Sequence, residues 1–549
     1  MEKKVHLETN LDRLSDLPEP IRKHILSFLS TRNAVRSSVL SSNWRGLWTE
    51  LPNLELSRSA VSSRLREEKL PDDGVKRAAI IREREAFYGF LDRALESVLE
   101  LKKLDLYVPG YDVELKSRLD GWLDCAVGRC VKELVLDIGS WKVPGYSLPK
   151  TVLGGNSITK MNLQRCELSS SSLMDARLPS LRELNLDYVY LDDEVIETLA
   201  GNIPNLEALD FRSCHGFTRL EVSGLDKLIK VNIETVFDEP IESIEIKAPN
   251  LLEFTYMNEC DMDSETCAIE VLACPNMRRM RLYGAQLDDY DFKLLLENLP
   301  ALEKLELCHC NRIQHVSISS QHLVHLEFFH CMDLGKVDIN TPNLKSFHYR
   351  DDELMFFKSK GSALKLTEAS IYIKPNIRGD KWYVGLVKFL ANLCHCETLT
   401  LHVGSEEELL IPETVRLKSR PPLHGVKKLV VELRVSLLKH TQLKLVQALL
   451  WLAPCLESLS IHNAYIPVAK FFEFTYEKPL KGQKKCGCWN SLAINCWQHA
   501  LTEVSLENRR GDEDDTKLAA FFSEARFDGK MVCFVKNACP TSKRWSFWP

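Results

Sequence analysis

A short motif of apolar residues recurs along most of the chain and predicts its main structure. In the copy that begins at Leu302, positions 4 and 6 of the motif are Leu305 and Leu307. Side chains of a β-strand alternate between two faces, so these leucines should point to one face and Glu306 to the other. Each copy therefore predicts one strand with a buried face and an outward face.

The copies follow one another at a nearly constant spacing. From residue 181 to residue 344, successive first positions are 25, 22, 23, 26, 25, 21 and 21 residues apart. Other copies begin at residues 101, 131, 158, 366, 396, 426 and 456. The spacing is typical of leucine-rich repeats, in which each turn of a solenoid contributes one parallel strand. The sequence thus predicts an α/β solenoid over residues 101–465, with parallel strands on its concave face and helices or loops outside.

Residues 11–56 lack this motif and have the spacing of short helices. Ile21, Ile25, Phe28 and Leu29 lie at i, i+4, i+7 and i+8, which predicts one apolar stripe along a helix. Two further short helices are predicted to follow it. Three helices in about 45 residues cannot bury all their large side chains against one another. Some of this apolar surface should therefore face a partner.

The same segment resembles an F-box of the plant type. The resemblance is carried by Leu17-Pro18, Ile21, Ile25-Leu26, Ser38-Val39-Leu40-Ser41 and Trp44-Arg45-x-Leu47-Trp48. Known F-boxes bind the Skp adaptor of cullin–RING ubiquitin ligases, so the resemblance implies the same partner here. The residues expected to contact the adaptor are Leu17, Pro18, Ile21, Ile25, Val39 and Trp44.

Two further segments flank the repeats. Residues 57–100 are predicted to form a polar linker and then a helix that caps the first repeat. Residues 480–540 resemble the FBD domain of plant F-box proteins, through Cys496-Trp497, the stretch from Leu501 to Asn508, and Phe521-Phe522. This segment is expected to form a small α+β cap at the other end of the solenoid.

Composition narrows the classes of partner and compartment. The formal net charge is -6 and 27% of residues are charged, which does not favour binding to nucleic acid or anionic lipid. No apolar run is long enough to span a bilayer, and the N-terminus has no signal-peptide core. The 18 cysteines are scattered along the chain. Reduced thiols, in a protein of the cytoplasm, the nucleus or both, are the better interpretation.

Four cysteines share position 9 of the motif, where the chain leaves the strand: Cys166, Cys214, Cys310 and Cys331. A small side chain with weak hydrogen-bonding ability suits such a buried turn. The alternative is a metal site, suggested by Cys308-His309-Cys310, His322-x-x-His325 and His330-Cys331. A stable site needs about four converging ligands, so core packing is preferred and no metal is predicted. Cys394-His-Cys396 and Cys486-Gly-Cys488 are interpreted in the same way.

The sequence contains no motif for catalysis or for a cofactor. HExxH, GxSxG and Gly-rich phosphate loops are absent. The acidic residues from Asp261 to Glu265 begin like a calcium loop but lack its later Gly and Glu. No active site and no cofactor are predicted, and the chain is not expected to be an enzyme.

The favoured hypothesis is a substrate-recognition subunit of an SCF (Skp–cullin–F-box) ubiquitin ligase. The helical segment would bind the Skp adaptor, and the repeats would bind the target protein. Two alternatives remain: a leucine-rich-repeat binding or scaffold protein without a ligase role, and a co-receptor that needs a small molecule.

The target is expected to bind the outward strand face in the middle of the repeats. Positions 3, 5 and 7 of the motif point away from the core there and combine arginine, histidine and aromatic side chains, a composition found at binding hot spots. The candidates are Arg279, Arg281, Tyr283, His325, Phe329, His348 and Arg350. The alternative is a merely solvated strand face with Phe329 covered by a loop.

Overall fold

The chain divides into two compact units, Met1–Asn276 and Met277–Pro549. The computed structural model describes residues 14–66, 70–139, 145–235, 241–259, 267–351, 354–359, 366–374, 379–434, 442–463, 470–476, 497, 501–507, 513–524 and 532–536. Among these residues, no helix is both long enough and apolar enough to cross a membrane.

The first unit begins with short helices and continues with a long one. α1 follows Pro18, and Pro20 lies in its first turn, where a missing backbone N–H costs no helical hydrogen bond. The helices are α1 (Glu19–Ser27), α2 (Thr31–Ser37), two 3-10 turns (Ser42–Trp44 and Leu47–Glu50), α3 (Gly74–Ser97), a 3-10 turn (Val113–Leu115), α4 (Lys116–Gly128), α5 (Lys150–Leu153), α6 (Ser170–Leu173) and α7 (Val195–Asn202).

Strands make up the rest of the first unit. They are β1 (Asn53–Leu56), β2 (Lys103–Pro109), β3 (Glu133–Gly139), β4 (Tyr146–Ser147), β5 (Lys160–Gln164), β6 (Cys166–Leu168), β7 (Glu183–Asp187), β8 (Tyr190–Leu191), β9 (Ala208–Arg212), β10 (Arg219–Val222), β11 (Lys230–Thr235), β12 (Ser243–Lys247), β13 (Glu253–Asn258) and β14 (Ala268–Leu272). One parallel sheet has the order β1-β2-β3-β5-β7-β9-β11-β13. Two smaller parallel sheets, β4-β6-β8 and β10-β12-β14, are formed by segments between the main strands.

The main sheet of the first unit confirms the predicted strands and adds one before them. In β7, Leu184 and Leu186 are buried while their neighbours are part-exposed. The added strand is β1, which pairs with β2 and buries Leu54 and Leu56. The prediction assigned these leucines only to the helical segment, although Leu51, Leu54 and Leu56 fit positions 1, 4 and 6 of the motif.

The segment predicted as a polar linker also contributes to the core. Val61 and Leu65 are buried against Tyr107, with Phe87 packed beside them. α3 is held to α4 by Asp92, which accepts hydrogen bonds from Trp122 (2.8 Å) and from Arg118 (2.5 Å). The linker and α3 thus cover the first strands of the unit.

The second unit contains the remaining elements. They are β15 (Arg279–Tyr283), α8 (Asp289–Glu297), β16 (Lys304–Cys308), β17 (His315–Ser319), β18 (His325–Phe329), β19 (Lys336–Asn340), β20 (Ser346–Asp351), β21 (Phe356–Ser359), β22 (Glu368–Ile373), α9 (Asp380–Ala391), β23 (Thr398–Val403), a 3-10 turn (Glu406–Glu408), α10 (Glu413–Arg416), β24 (Lys428–Leu433), α11 (Gln442–Leu452), β25 (Ser458–Asn463), β26 (Lys470–Tyr476), β27 (Leu501–Glu507), α12 (Glu513–Glu524) and β28 (Val532–Lys536).

The main sheet of the second unit is parallel until its last strands. Its parallel part has the order β15-β16-β18-β20-β22-β23-β24-β25. β26 and β27 then pair antiparallel, and β28 is parallel to β27. The return segments after β16, β18 and β20 form a second sheet, β17-β19-β21, where the sequence predicted only helices or loops. The 30-residue repeats contain the helices α9 and α11 between their strands.

Part of the predicted C-terminal cap is described, and it packs around aromatic residues. The ring of Phe522 in α12 lies 6.0 Å from the rings of Phe474 and Trp497. The remaining parts of residues 480–540, including Cys486 and Cys488, lie outside the described residues, as does the calcium-like segment from Asp261 to Glu265.

In six copies of the motif, position 8 has a left-handed backbone conformation that the sequence pattern did not predict. It is taken mainly by residues other than glycine, with φ between 48° and 67°: Arg165, Tyr188, Ser213, Gly284, His309 and His330. Each of these residues donates its backbone N–H to the carbonyl at position 7 of the next repeat, at 2.6–2.9 Å. The added hydrogen bond offsets the steric cost of the left-handed conformation and extends the pairing of neighbouring turns by one residue.

Three of the four position-9 cysteines are buried, as predicted. Cys166, Cys310 and Cys331 are buried, whereas Cys214 is half-buried. The Cys310 thiol lies 3.6 Å from the carbonyl oxygen of Leu282 in the preceding repeat, and the Cys331 thiol lies 3.5 Å from that of Leu307. These weak hydrogen bonds connect one turn to the next.

Thiol labelling of the folded chain should distinguish buried from exposed cysteines. Burial raises the pKa of the Cys166 thiol to about 12, so at pH 8 almost none of it is the reactive thiolate. We expect peptide mapping by mass spectrometry to find Cys130, which is exposed, labelled in the native protein. Cys166, Cys310 and Cys331 should be labelled only after denaturation. Their rapid labelling in the folded chain would contradict the packing described above.

Candidate functional site

The N-terminal helical segment has a small core of its own. Leu26, Ala34, Trp44 and Leu47 are buried together. The Trp44 indole donates a hydrogen bond to the Ser15 hydroxyl at 3.1 Å. This bond joins the start of the segment to the 3-10 turn Ser42–Trp44. The segment is also joined to the first strand, because the Glu55 backbone N–H donates to the Thr31 hydroxyl at 2.8 Å.

Large apolar side chains remain outside this core and form what we call the docking surface. Its members are each at least 40% exposed: Leu14, Ile21, Phe28, Leu29, Val39 and Leu40. Val39 has the largest exposure, at 87%, and Phe28 follows at 76%. Isolated exposed apolar residues are common on proteins, but six within 27 residues of sequence are the mark of an interaction site.

The predicted adaptor-contact residues occupy three kinds of position. Ile21 and Val39 belong to the docking surface, and Pro18 is exposed beside it. Leu17 and Ile25 are half-buried, and Ile25 packs against the core. Trp44 is only 3% exposed, so the structure does not place its side chain at the surface as predicted. Its ring instead belongs to the core of the segment, with Leu26, Ala34 and Leu47.

Four members of the docking surface were missing from the predicted contacts: Leu14, Phe28, Leu29 and Leu40. Phe28 belonged to the apolar stripe that predicted α1, and its ring packs edge-on against His24 at 4.8 Å. The helical spacing assigned it to a buried face. A segment with so little interior cannot bury the whole stripe, and this is the signal that could have identified Phe28.

The outward strand face of the second unit carries the predicted target-binding residues. β15, β16, β18 and β20 pair in register, so equivalent motif positions lie side by side. Arg279 and Arg281 are exposed, while Tyr283, His325, Phe329, His348 and Arg350 are part-exposed. All seven residues therefore lie on the face that was predicted for them.

Charged side chains at positions 3 and 5 form a connected group on this face. Glu306 is 91% buried at its side chain and contacts Arg281 and Lys304, each at 2.6 Å. In the next strands, the carboxylate of Glu327 lies 3.6 Å from both His325 and His348. The imidazoles of His325 and His348 hold the pKa of the Glu327 carboxyl well below its usual range, so Glu327 is ionised at neutral pH.

Position 7 carries a row of aromatic and cationic side chains. The Arg350 guanidinium lies 4.6 Å from the ring centre of Phe329 and 4.9 Å from that of Tyr372. Arg434, at position 9 of the copy that begins at residue 426, lies 4.7 Å from the ring centre of Tyr372. Cation–π contacts of this kind hold the arginines against the sheet. Tyr372 was not among the predicted residues, although it occupies position 7 of the copy that begins at residue 366.

The cysteine and histidine motifs considered for zinc do not converge on one site. Cys308, Cys310 and Cys331 are buried. His309 and His330 occupy the left-handed position, where their rings stack at 5.3 Å. Among the described residues, the one group whose ligand atoms converge is a different one, His325, Glu327 and His348.

Comparison with known proteins identifies the same two regions. A family profile for the F-box domain matches residues 14–56. A profile described as the At1g61320/AtMIF1 LRR (leucine-rich-repeat) domain matches residues 95–268 and 264–481, more than half of the chain.

Individual relatives come from Arabidopsis thaliana. The F-box/LRR-repeat protein At3g59200 is 31% identical over 256 residues, 45% of each chain. The F-box/FBD/LRR-repeat protein At1g78750 is 26% identical over 298 residues, 54% of this chain and 57% of its own. The chain spans about half the length of the curated relatives it matches. The resemblance found in the sequence is confirmed: this chain belongs to the plant F-box/LRR proteins.

Proposed function

We propose that the protein is a substrate-recognition subunit of an SCF-type ubiquitin ligase. Its docking surface binds a Skp adaptor, and its strand face binds a target protein. Other subunits of the ligase transfer ubiquitin, and this chain catalyses no step. In this role it acts in the cytoplasm, the nucleus or both.

The observation that carries the proposal is the docking surface within a segment that matches the F-box domain. Six large apolar side chains are exposed there, although the segment is otherwise folded around a closed core. Keeping Val39 and Phe28 in water is unfavourable by about 25 cal/mol for each Å² of apolar surface. A protein partner that covers these side chains removes this cost.

Affinity capture from plant cells tests the proposal. The full chain, expressed with proteasome activity inhibited, should co-purify with a Skp adaptor and with a cullin. Capture of other proteins without adaptor and cullin would instead support the scaffold alternative. Capture of a target only after addition of a small-molecule extract would support the co-receptor alternative.

The strand face gives a second expected result. Replacing Arg281 and Phe329 together with alanine should lower target capture at least tenfold, about the effect of losing one binding hot spot. Adaptor capture should be unchanged. The matched control is Arg278→Ala with Met332→Ala, which removes an exposed arginine and a 52% exposed apolar side chain at positions that do not carry the strand face. Equal target capture by both variants would place the target site elsewhere.

A further inference from the structure

We propose that His325, Glu327 and His348 form a binding site for one divalent transition-metal ion, with Zn²⁺ as the best match. The three residues lie on neighbouring strands of the second unit. His325 and Glu327 occupy motif positions 3 and 5 on β18, and His348 occupies motif position 5 on β20. Their ligand atoms lie within 4.8 Å of one another. The sequence motifs considered for zinc did not contain this set, because Glu327 and His348 become neighbours only when the strands pair.

Two of the three distances within the set match those around a tetrahedral ion. A zinc ion with ligands at about 2.0–2.2 Å places their atoms roughly 3.3–3.6 Å apart. In the structure, Oε2 of Glu327 lies 3.6 Å from Nε2 of His325 and 3.6 Å from Nδ1 of His348. Both separations are longer than ordinary N–H···O hydrogen bonds. Small side-chain movements would therefore bring all three ligands to a shared ion.

A buried nitrogen points to the same place. Nε2 of His325 is shielded from solvent and makes no hydrogen bond. Its nearest carboxylate oxygens belong to Glu327 at 3.6 Å and to Glu306 at 3.8 Å. A buried polar atom without a hydrogen bond is unfavourable, and coordination of an ion by this nitrogen would satisfy it.

The surroundings orient the second histidine and balance the charge. Nε2 of His348 lies 3.2 Å from the Ser346 hydroxyl. A hydrogen bond from this nitrogen leaves Nδ1 free to coordinate, which is the usual arrangement around metal-bound histidines. Glu306 is already neutralised by Lys304 and Arg281 at 2.6 Å. Glu327 is therefore the carboxylate that remains for the ion.

The ligand types select the class of ion. Two imidazoles and one carboxylate suit zinc and its neighbours among the transition metals, whereas calcium and magnesium prefer oxygen ligands throughout. Three protein ligands leave one position of a tetrahedral ion open. The side chains of His325, Glu327 and His348 are 17%, 25% and 37% exposed, so that position is open to water or to a donor atom of a bound protein.

Metal titration of the untagged full chain tests the site. After removal of metal with a chelator, Zn²⁺ binding is measured by calorimetry, and Co²⁺ binding by its d–d absorption. We expect one ion per chain. His348→Gln and Glu327→Gln should each weaken binding at least about 100-fold, and Ser346→Ala about tenfold, the lower end of the range for lost outer-shell hydrogen bonds.

The matched control is His322→Gln, which removes an exposed histidine three residues before His325 and outside the set. It should bind zinc as tightly as the unchanged chain, and circular dichroism should show all variants folded. Failure of the unchanged chain to bind one Zn²⁺ or Co²⁺ would overturn the proposal. Binding of equal affinity by the folded His348→Gln variant would also overturn it. Neither result depends on the adaptor or the target.

Discussion

Replacing Ile21 and Val39 with aspartate in the full chain should abolish capture of a Skp adaptor. Both side chains are exposed, at 47% and 87%, so neither contributes much to the core beneath them. Each aspartate would bring an unpaired charge into an apolar interface, which costs several kcal/mol in binding. Pull-down of co-expressed adaptor measures the effect, and far-ultraviolet circular dichroism should be unchanged.

The matched control for this experiment is Val75→Asp. Val75 is 81% exposed, like Val39, but lies in the first turn of α3 outside the helical segment. A carboxylate there is favoured by the helix dipole, so folding should be unaffected and adaptor capture should match that of the unchanged chain. Normal capture by the Ile21→Asp, Val39→Asp variant would show that the adaptor does not use this surface.

Replacing Arg165 with methionine should destabilise the first unit by about 3–5 kcal/mol, the usual cost of leaving one charge of a buried pair alone. The Arg165 guanidinium contacts the Asp137 carboxylate, with side chains 7% and 9% exposed, and also donates to the Ile138 carbonyl at 2.6 Å. Methionine keeps a Cβ at this left-handed position, so backbone strain does not change. Urea unfolding followed by circular dichroism measures the loss.

Two variants check the cause of this destabilisation. Arg182→Met removes a solvent-exposed pair with Glu207, whose side chains are 62% and 37% exposed, and should cost less than about 1 kcal/mol. Adding Asp137→Leu to Arg165→Met removes the carboxylate that lost its ion-pair partner, and it should restore most of the lost stability. A double variant as unstable as the single one would show that Arg165 acts through packing instead of charge.

The strands could be predicted from the sequence because their signal is local and repeated. The alternation of Leu305 and Leu307 is enough to predict the buried face of β16. The near-constant spacing of the copies then predicts the order of the strands in the sheet. The left-handed turn could not be predicted in this way. Arg165, Tyr188, Ser213, His309 and His330 are polar but differ in size, shape and charge. The conformation is imposed by a hydrogen bond to the next repeat and not by the residue itself.

The sites were predictable only in part, and for a related reason. Motif positions correctly assigned Arg281 and Phe329 to the outward face. They could not show that Trp44 is buried, since burial of an aromatic in a small helical segment depends on which large residue occupies its centre. Nor could they group His325 with His348, which are neighbours in space through strand pairing and lie 23 residues apart in sequence.

The left-handed residue at position 8 divides each repeat that contains it into a block of fixed length and a following segment of variable length. In the six repeats that contain it, the strand and the left-handed turn occupy the first eight positions, whereas the repeats themselves measure from 21 to 25 residues. All variation in length falls after the block, on the side away from the strand face. Residues can therefore be inserted or deleted in the return segments without moving positions 3, 5 and 7. The binding specificity of the strand face can change independently of the length of the return segments.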